Sequence, residues 1–336
     1  MTQARVLIIS PALADANNGN WQTARRWSRM LRPAFQTTIA RTWDGEPFDV
    51  MLALHARRSA DSIAAWARAQ GATANAPGLA VVLTGTDLYR DIQTDACAQA
   101  SLAYAQQLVL LQECGPDALP PALRHKARVI FQSTPARNTV VKTAQHLRAV
   151  MVGHLRDEKS PQTLFAAARL LQGHPDIFID HIGAALDSDL GAHAQACAAQ
   201  CPHYRWLGGL PHEATRRHIQ RAHLLIHASR IEGGAHVVME AVRSGTPVLA
   251  SHIAGNVGML GPDYAGYFAQ GDAQALTDLL LRCRRDQANN HPHADNFYHQ
   301  LQAQCAQRAP LFAPAAEQAA LHALVRDLLP KTPNPK

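Results

Sequence analysis

The chain lacks most of the short patterns by which a sequence announces its chemistry. Its six cysteines, Cys97, Cys114, Cys197, Cys201, Cys283 and Cys305, form no C-x-x-C, and the only close pair is Cys197-x3-Cys201. That spacing suits neither a zinc site nor a disulfide framework, so reduced thiols in a cytoplasmic protein are expected. No G-x-G-x-x-G follows the first apolar run and no G-x4-G-K-[ST] occurs, which argues against a nicotinamide fingerprint and a P-loop. No stretch approaches the ~18 apolar residues of a membrane span. The first apolar run is only Val6 to Ile9, so no signal peptide is expected. There is no low-complexity block and no long-period repeat.

What is present is core-forming material. Of 336 residues, 47% are hydrophobic and 17% charged, which excludes a disordered chain and suits about two domains. Lys+Arg 32 against Asp+Glu 26 leaves a net charge of +6. So small an excess fits a small anionic ligand better than a nucleic acid, which would need basic residues massed on one face.

Short apolar runs alternate with helical patterns along almost the whole length. Strands are expected at Val6–Ser10, Thr37–Trp43, Asp49–His55, Leu79–Thr84, Gln107–Leu111 and Val129–Gln132. The rhythm restarts near residue 148 with Ala149–Gly153, Ile177–Gly183, Tyr204–Leu207, Leu224–Ala228, Pro247–Ser251 and Tyr264–Phe268. Strand then helix, repeated, implies parallel sheets with helices on both faces. About twelve strands are too many for one sheet. We therefore expect an α/β protein of two Rossmann-like doubly wound domains, residues 1–145 and 146–312, facing across a cleft, with a closing helix and tail over 313–336. Ligands of such sheets bind at the carboxyl ends of the strands.

Two segments of the second half stand at such ends. In Val152-Gly-His-Leu-Arg-Asp-Glu-Lys-Ser-Pro161, a strand ends near His154, Ser160 reads as an N-cap, and Pro161 fits the first helical position. Arg156 and Lys159 then lie beside a helix N-terminus, a plausible clamp for a diphosphate. The competing reading is two solvated loop charges. In Arg230-Ile-Glu-Gly-Gly-Ala-His-Val-Val-Met-Glu240, a strand leads into Glu232, Gly233 and Gly234, and a helix is expected over about Ala235–Ser244, ended by Gly245. Glu232 and Glu240 would differ by only about 80° in helical phase and face one ligand. The plainer reading is a capping glutamate and a surface one.

E-G-G-x5-E-A-x2-S-G-T-P-V-L-A-S resembles the E-x7-E signature of retaining glycosyltransferases of family 4, which have the GT-B fold, and V-G-H-L-R-x2-K resembles their diphosphate-binding segment. The resemblance covers about Val150–Leu281. It implies that Arg156 and Lys159 hold a nucleotide diphosphate, that Glu232 faces the donor sugar, that Glu240 holds the ribose and that Gly209 and Leu210 lie near the base. It also implies a UDP-sugar co-substrate and no metal. His154, Ser160 and the pair Ala235-His236 depart from the family pattern, so His236 is a candidate for a special donor contact.

Asn17-Asn-Gly-Asn-Trp21 resembles the glycine loop of such enzymes, with Gly19 and Asn20 near the donor phosphates; an ordinary N-cap turn is the alternative. Leu54-His-Ala-Arg-Arg-Ser59 and Thr84-Gly-Thr-Asp-Leu-Tyr89 end two strands. His55, Arg57, Arg58 and Ser59, with Thr84, Thr86 and Asp87, are candidates for gripping a small anionic acceptor, against the plainer reading of a basic surface turn. Together these segments resemble the selenosugar synthases of selenoneine biosynthesis, which join selenophosphate to the sugar of a UDP-sugar. That implies UDP-N-acetylglucosamine or UDP-glucose as donor and selenophosphate as acceptor, with His55, Arg156, Lys159 and Glu232 as the catalytic set. The alternatives are a conventional family 4 enzyme with a sugar or alcohol acceptor and a non-catalytic nucleotide-sugar-binding protein. No nucleic-acid or membrane partner is expected, and the assembly expected is a monomer or weak homodimer. Asp187-Ser-Asp189 reads as helix capping rather than a metal motif, and His291-Pro-His293 as a polar loop.

Overall fold

The computed structural model describes residues 3–13, 19–288 and 296–330. The chain divides into two compact units. One contains residues 1–132 and 314–336, the other 133–313.

The first unit begins with β1 (Arg5–Ile9), α1 (Gly19–Leu31), β2 (Gln36–Ala40), β3 (Val50–Leu54), α2 (Ala60–Ala69) and β4 (Ala76–Val82). It continues through a short turn α3 (Ile92–Thr94), α4 (Ala96–Tyr104), β5 (Ala105–Leu110) and β6 (Ala127–Val129). All pairings are parallel and the order is β2-β1-β3-β4-β5-β6. The central strand β3 is Val-Met-Leu-Ala-Leu and buried throughout, as a parallel strand covered on both faces must be. Alternation decides the faces: Leu7 and Ile9 pack with Trp66 of α2, while Val6 and Ile8 pack with Trp27 of α1.

The second unit runs β7 (Leu147–Val152), α5 (Pro161–Leu170), β8 (Ile177–Ile182), α6 (Ser188–Gln200), β9 (Tyr204–Trp206), α7 (His212–Arg221) and β10 (Leu224–His227). Then come α8 (His236–Val242), β11 (Val248–Ser251), α9 (Ala254–Leu260), β12 (Tyr267–Phe268), α10 (Ala273–Ala288) and α11 (Phe297–Arg308). The order is β12-β11-β10-β7-β8-β9, again all parallel. Each of the twelve expected strands has a counterpart within a few residues.

The last helix, α12 (Pro314–Leu328), belongs to the first unit. Leu321, Leu324, Val325 and Leu328 form a stripe at helical spacing that is buried with Trp27 and Leu31. Each such side chain contributes about 1.5–3 kcal/mol. Glu317 is buried beside them; it accepts from Trp27 Nε1 at 2.6 Å and from Arg26 Nε at 3.0 Å. The division thus falls after Gln132 rather than at residue 145, and the closing helix is a return element of the first sheet rather than a separate piece.

Candidate active site

In the second sheet the strand order reverses between β7 and β10, and such a switch point is where open α/β sheets bind ligands. The loops leaving these two strands carry residues 153–160 and 228–235. Two glycines let the neighbouring loops approach. A Cβ on Gly183 would lie 1.9 Å from the Gly153 carbonyl oxygen, and one on Gly255 would lie 2.2 Å from that of Glu232. The first loop is clipped to the second by Arg230, whose amide donates to Glu158 O at 2.9 Å and whose guanidinium pairs with Asp157 at 2.8 Å.

Ser160 does not cap α5 as expected. It sits at φ +50°, ψ +51°, makes no side-chain capping bond, and its hydroxyl pairs with that of Thr163 at 3.0 Å. The left-handed backbone turns its side chain away from the amides, and it is a conformation that favours glycine. His154 is tied to the turn after β8: its Nδ1 accepts from the Ala184 amide at 3.0 Å. Burial, Arg156 and Lys159 lower its pKa.

Lys159 and Glu232 form a short ion pair between the two loops. His227, the last residue of β10, is the third member, with Nε2 3.4 Å from Glu232 Oε1. Burial alone would push the Glu232 carboxyl up, but Lys159 and His227 more than offset it and hold it well below the usual carboxylate range. The His227 tautomer follows from its neighbours. Asn256 Nδ2 donates to Ser251 O at 2.8 Å, which turns Asn256 Oδ1 toward His227 Nδ1 at 2.8 Å. Nδ1 therefore carries a proton. Nε2 faces both Glu232 and the Ser229 hydroxyl, the latter at 3.3 Å: it accepts from Ser229 when neutral and donates to Glu232 when protonated.

Glu240 lies on α8, buried, and belongs to a different cluster. Its Oε1 is 2.6 Å from His212 Nε2 and 3.9 Å from Arg216 Nε. His212 and Arg216 are one turn apart on α7, so they share its face. The hydrogen bond to Glu240 raises the His212 pKa, against a smaller lowering from burial. The helical-phase argument for the two glutamates fails: α8 starts at His236, so Glu232 is placed by the loop and not by the helix. Gly245 does end α8 as expected, at φ +69°, with Thr246 N bonded to Ala241 O and Gly245 N to Val242 O.

The other donor-side candidates make no ion pair with either glutamate among the described contacts. Arg156 is half exposed and 4.0 Å from Glu158. Gly233 is buried and Gly234 half-buried in the loop before α8, which His236 begins. Gly209 is exposed and Leu210 half-buried between β9 and α7. Gly19 and Asn20 open α1 in the first unit; Asn17 and Asn18 lie outside the described residues.

In the first unit, His55 follows β3 at φ +74° and is buried. Its Nδ1 is 3.9 Å from Asp87 and accepts from the Arg58 amide at 3.3 Å; its Nε2 is 3.9 Å from Asp91. Burial lowers the imidazole pKa, Asp87 and Asp91 counter it, and Arg58 and Arg57 add to it. Asp87 is fully buried and bound by backbone. It accepts from the amides of Ala56 at 3.0 Å, Thr84 at 2.8 Å and Gly85 at 3.0 Å, and from the Thr84 hydroxyl at 3.2 Å. Ser59 Oγ donates to Leu54 O at 2.6 Å. Thr86 is half-buried on the same turn. Arg57 is half exposed, paired with Asp95 at 3.2 Å and Asp91 at 3.7 Å, while Arg58 is exposed.

Asp187 caps α6 as expected, accepting from the amides of Asp189 and Leu190. His291 and His293 lie outside the described residues. Among the described residues no cluster of three His, Cys, Asp or Glu side chains could hold a metal, and no helix is long and apolar enough to cross a membrane.

The family model for glycosyl transferases group 1 matches residues 135–302, half of the chain, and the matched stretch holds both glutamate clusters. The chain belongs to that family. Its fold is the GT-B fold, shared with solved structures at low identity. Sucrose-phosphate synthase from Thermosynechococcus elongatus superposes with a TM-score of 0.75 at 16% identity, over 97% of this chain and 99% of that one. HepE from Anabaena, solved with UDP-glucose, superposes with a TM-score of 0.72 at 13% identity, over 96% and 100%. No curated protein sequence matches the chain.

Proposed function

We propose that the chain is a selenosugar synthase. It transfers the sugar of UDP-N-acetylglucosamine or UDP-glucose to selenophosphate, forming a carbon–selenium bond and releasing UDP. The observation that carries the donor half is the meeting of Lys159, Glu232 and His227 at the switch point of the second sheet. The UDP-glucose bound in HepE, which shares the fold, supports the same reading. The acceptor half rests on the motifs at His55–Ser59 and Thr84–Asp87.

In this reading Lys159 and Arg156 receive the diphosphate and Glu232 the sugar hydroxyls. Glu240, held by His212 and Arg216, accepts from the ribose, with Gly209 and Leu210 beside the base. The anomeric C–O bond breaks toward the diphosphate through an oxocarbenium-like state. The electron pair leaves on the diphosphate oxygen, and Lys159 stabilises that charge. A cation preorganised there is worth about 3–4 kcal/mol of barrier. Selenium supplies the pair for the new bond and is already anionic, so the acceptor needs no general base. His55 then orders the loop, and the exposed Arg58 and half-exposed Arg57 meet the phosphoryl oxygens. Hydrolysis of the Se–P bond afterwards releases phosphate. No metal takes part, and the enzyme works in the cytoplasm as a monomer or weak homodimer.

The burial of His55 and the saturation of Asp87 by amides favour a second reading, a family 4 transferase with a sugar or alcohol acceptor. One experiment separates the two. The purified chain is incubated anaerobically with either UDP-sugar and selenophosphate made in situ, and products are read by mass spectrometry. A 1-selenosugar isotope pattern, formed in step with UDP, is expected. UDP released without a selenium-bearing product would overturn the acceptor assignment and keep the donor one. Absence of UDP release with any acceptor would leave only a nucleotide-sugar-binding protein.

A further inference from the structure

A cavity of about 540 Å³ lies in the second unit, away from the switch-point loops, and is lined by the entry ends of β7 and β9, the middle of β8 and the end of α7. Its floor is unusual for a parallel sheet. Asp180 of β8 stands opposite Arg205 of β9 in the register, and Arg148 stands opposite Phe178, two residues before Asp180. Period-two alternation therefore puts Arg148, Asp180 and Arg205 on one sheet face. That face should be an apolar surface under a helix; here it carries charge and faces a cavity within the size range of small-molecule sites.

The charges do not cancel. Asp180, almost fully buried, is shared by Arg148 at 3.1 Å and Arg205 at 2.7 Å. One carboxylate thus serves two guanidiniums. Arg221 and Lys142 add two more cations to the lining, with His146, His218 and His223 around them. Lys142 Nζ has a hydroxyl for its partner, Thr246 Oγ1 at 3.2 Å, rather than a carboxylate. Burial pushes its pKa down to about 8. A half-buried ammonium without a counter-charge is costly, and a bound anion would supply that charge. His223 is not available to a ligand: its Nδ1 accepts from Arg148 N at 2.9 Å and its Nε2 meets Thr143 O at 2.9 Å. It sets the shape of the wall.

We propose that this cavity is a second ligand site, separate from the glutamate clusters, that binds a small phosphate-bearing anion between Arg148, Arg205, Arg221 and Lys142. The volume exceeds what one inorganic phosphate fills, so the fitting class is a phosphorylated metabolite whose neutral part reaches toward the wall of half-buried Val140 and exposed Val141.

The test is calorimetric titration of the full chain with glucose 6-phosphate and, separately, inorganic phosphate. The proteins are the wild type, Arg221→Gln, Lys142→Met and Lys159→Ala. Because Lys159→Ala disables the switch-point cation instead, it marks any binding at the other site. Saturable binding is expected in the wild type and in Lys159→Ala, weakened about tenfold in Arg221→Gln and in Lys142→Met. Tighter binding of the sugar phosphate assigns a metabolite, and equal affinity assigns free phosphate; both uphold the site. Arg221 is exposed, so its variant keeps the test valid if Lys142→Met melts early. Absence of saturable binding at millimolar concentration overturns the proposal, as does binding that Arg221→Gln and Lys142→Met both leave unchanged.

Discussion

At the switch point of the second sheet the carboxylate of Glu232 meets charged side chains, Lys159 and His227. At the end of β3 and β4 in the first sheet the carboxylate of Asp87 meets backbone amides instead. Both acids follow strands, and both are shielded from water. They differ in what they hold. Asp87 organises its own loops, since three amides that would otherwise be orphaned end on it. Among the described contacts the Glu232 side chain holds no backbone amide; it neutralises a lysine that would otherwise lack a counter-charge. The comparison teaches that a carboxylate at a strand's carboxyl end is read by its partners. Amide partners mark scaffolding, and ionic partners between loops mark a place where a ligand's charge can be exchanged for the pair.

That contrast can be broken in graded ways. The largest effect is expected for Lys159→Ala, which should lower kcat/KM for the UDP-sugar by about 100- to 1,000-fold, with a smaller loss of stability because Glu232 keeps only His227 as counter-charge. Unaltered steady-state kinetics would remove Lys159 from the reaction. Asp87→Ala should behave oppositely and cost about 3 kcal/mol or more of stability in urea unfolding, because it strands several buried amides. If it unfolds at the same urea concentration as the wild type, Asp87 is no scaffold. Next comes the paired change Arg57→Ala with Arg58→Ala. It should raise the KM for selenophosphate about tenfold, worth ~1.4 kcal/mol, while the Kd of UDP is unmoved; an unchanged acceptor KM sinks the anion grip.

The smallest effect concerns His212. Its hydrogen bond to Glu240 raises its folded pKa above the ordinary value near 6.5. The stabilisation is therefore fully present below about pH 6.5 and is lost as pH rises through the folded value. His212 is largely exposed, so solvent screening limits the contribution to about 0.5–1 kcal/mol. His212→Asn should lower stability near pH 6 and leave it equal to wild type near pH 9. An equal loss at both pH values would mean that the imidazole acts by packing alone.

Much of this was legible in the chain itself. The central strands of both sheets were marked by short apolar runs, because a strand buried on both faces can tolerate little else. Lys159 and Glu232 were each singled out by family resemblance, though not their pairing with one another, and the glycine that ends α8 by its place after the helical pattern. His227 was written inside an apolar run, Leu-Leu-Ile-His-Ala, where one polar residue among four apolar ones reads as an accident. His212 and Arg216 stood at i, i+4 spacing in a helix whose polar face offered many such pairs. Nothing in that spacing singled out the pair that meets Glu240.

The amino-acid sequence by itself determined the local elements, their parallel character and the two strand-end loops that bear glutamate and lysine. These follow from hydrophobic period, glycine and proline, all of which act over a few residues. Tertiary structure decided the rest. It placed α12 against the first sheet, since its stripe of Leu321, Leu324, Val325 and Leu328 could have covered any apolar face. It turned Asp87 inward and left Arg58 outside. It set His227 against Glu232 and Arg148 and Arg205 around one aspartate. Each of those outcomes depends on which residues distant in the chain arrive at the same few ångströms, and only packing selects them.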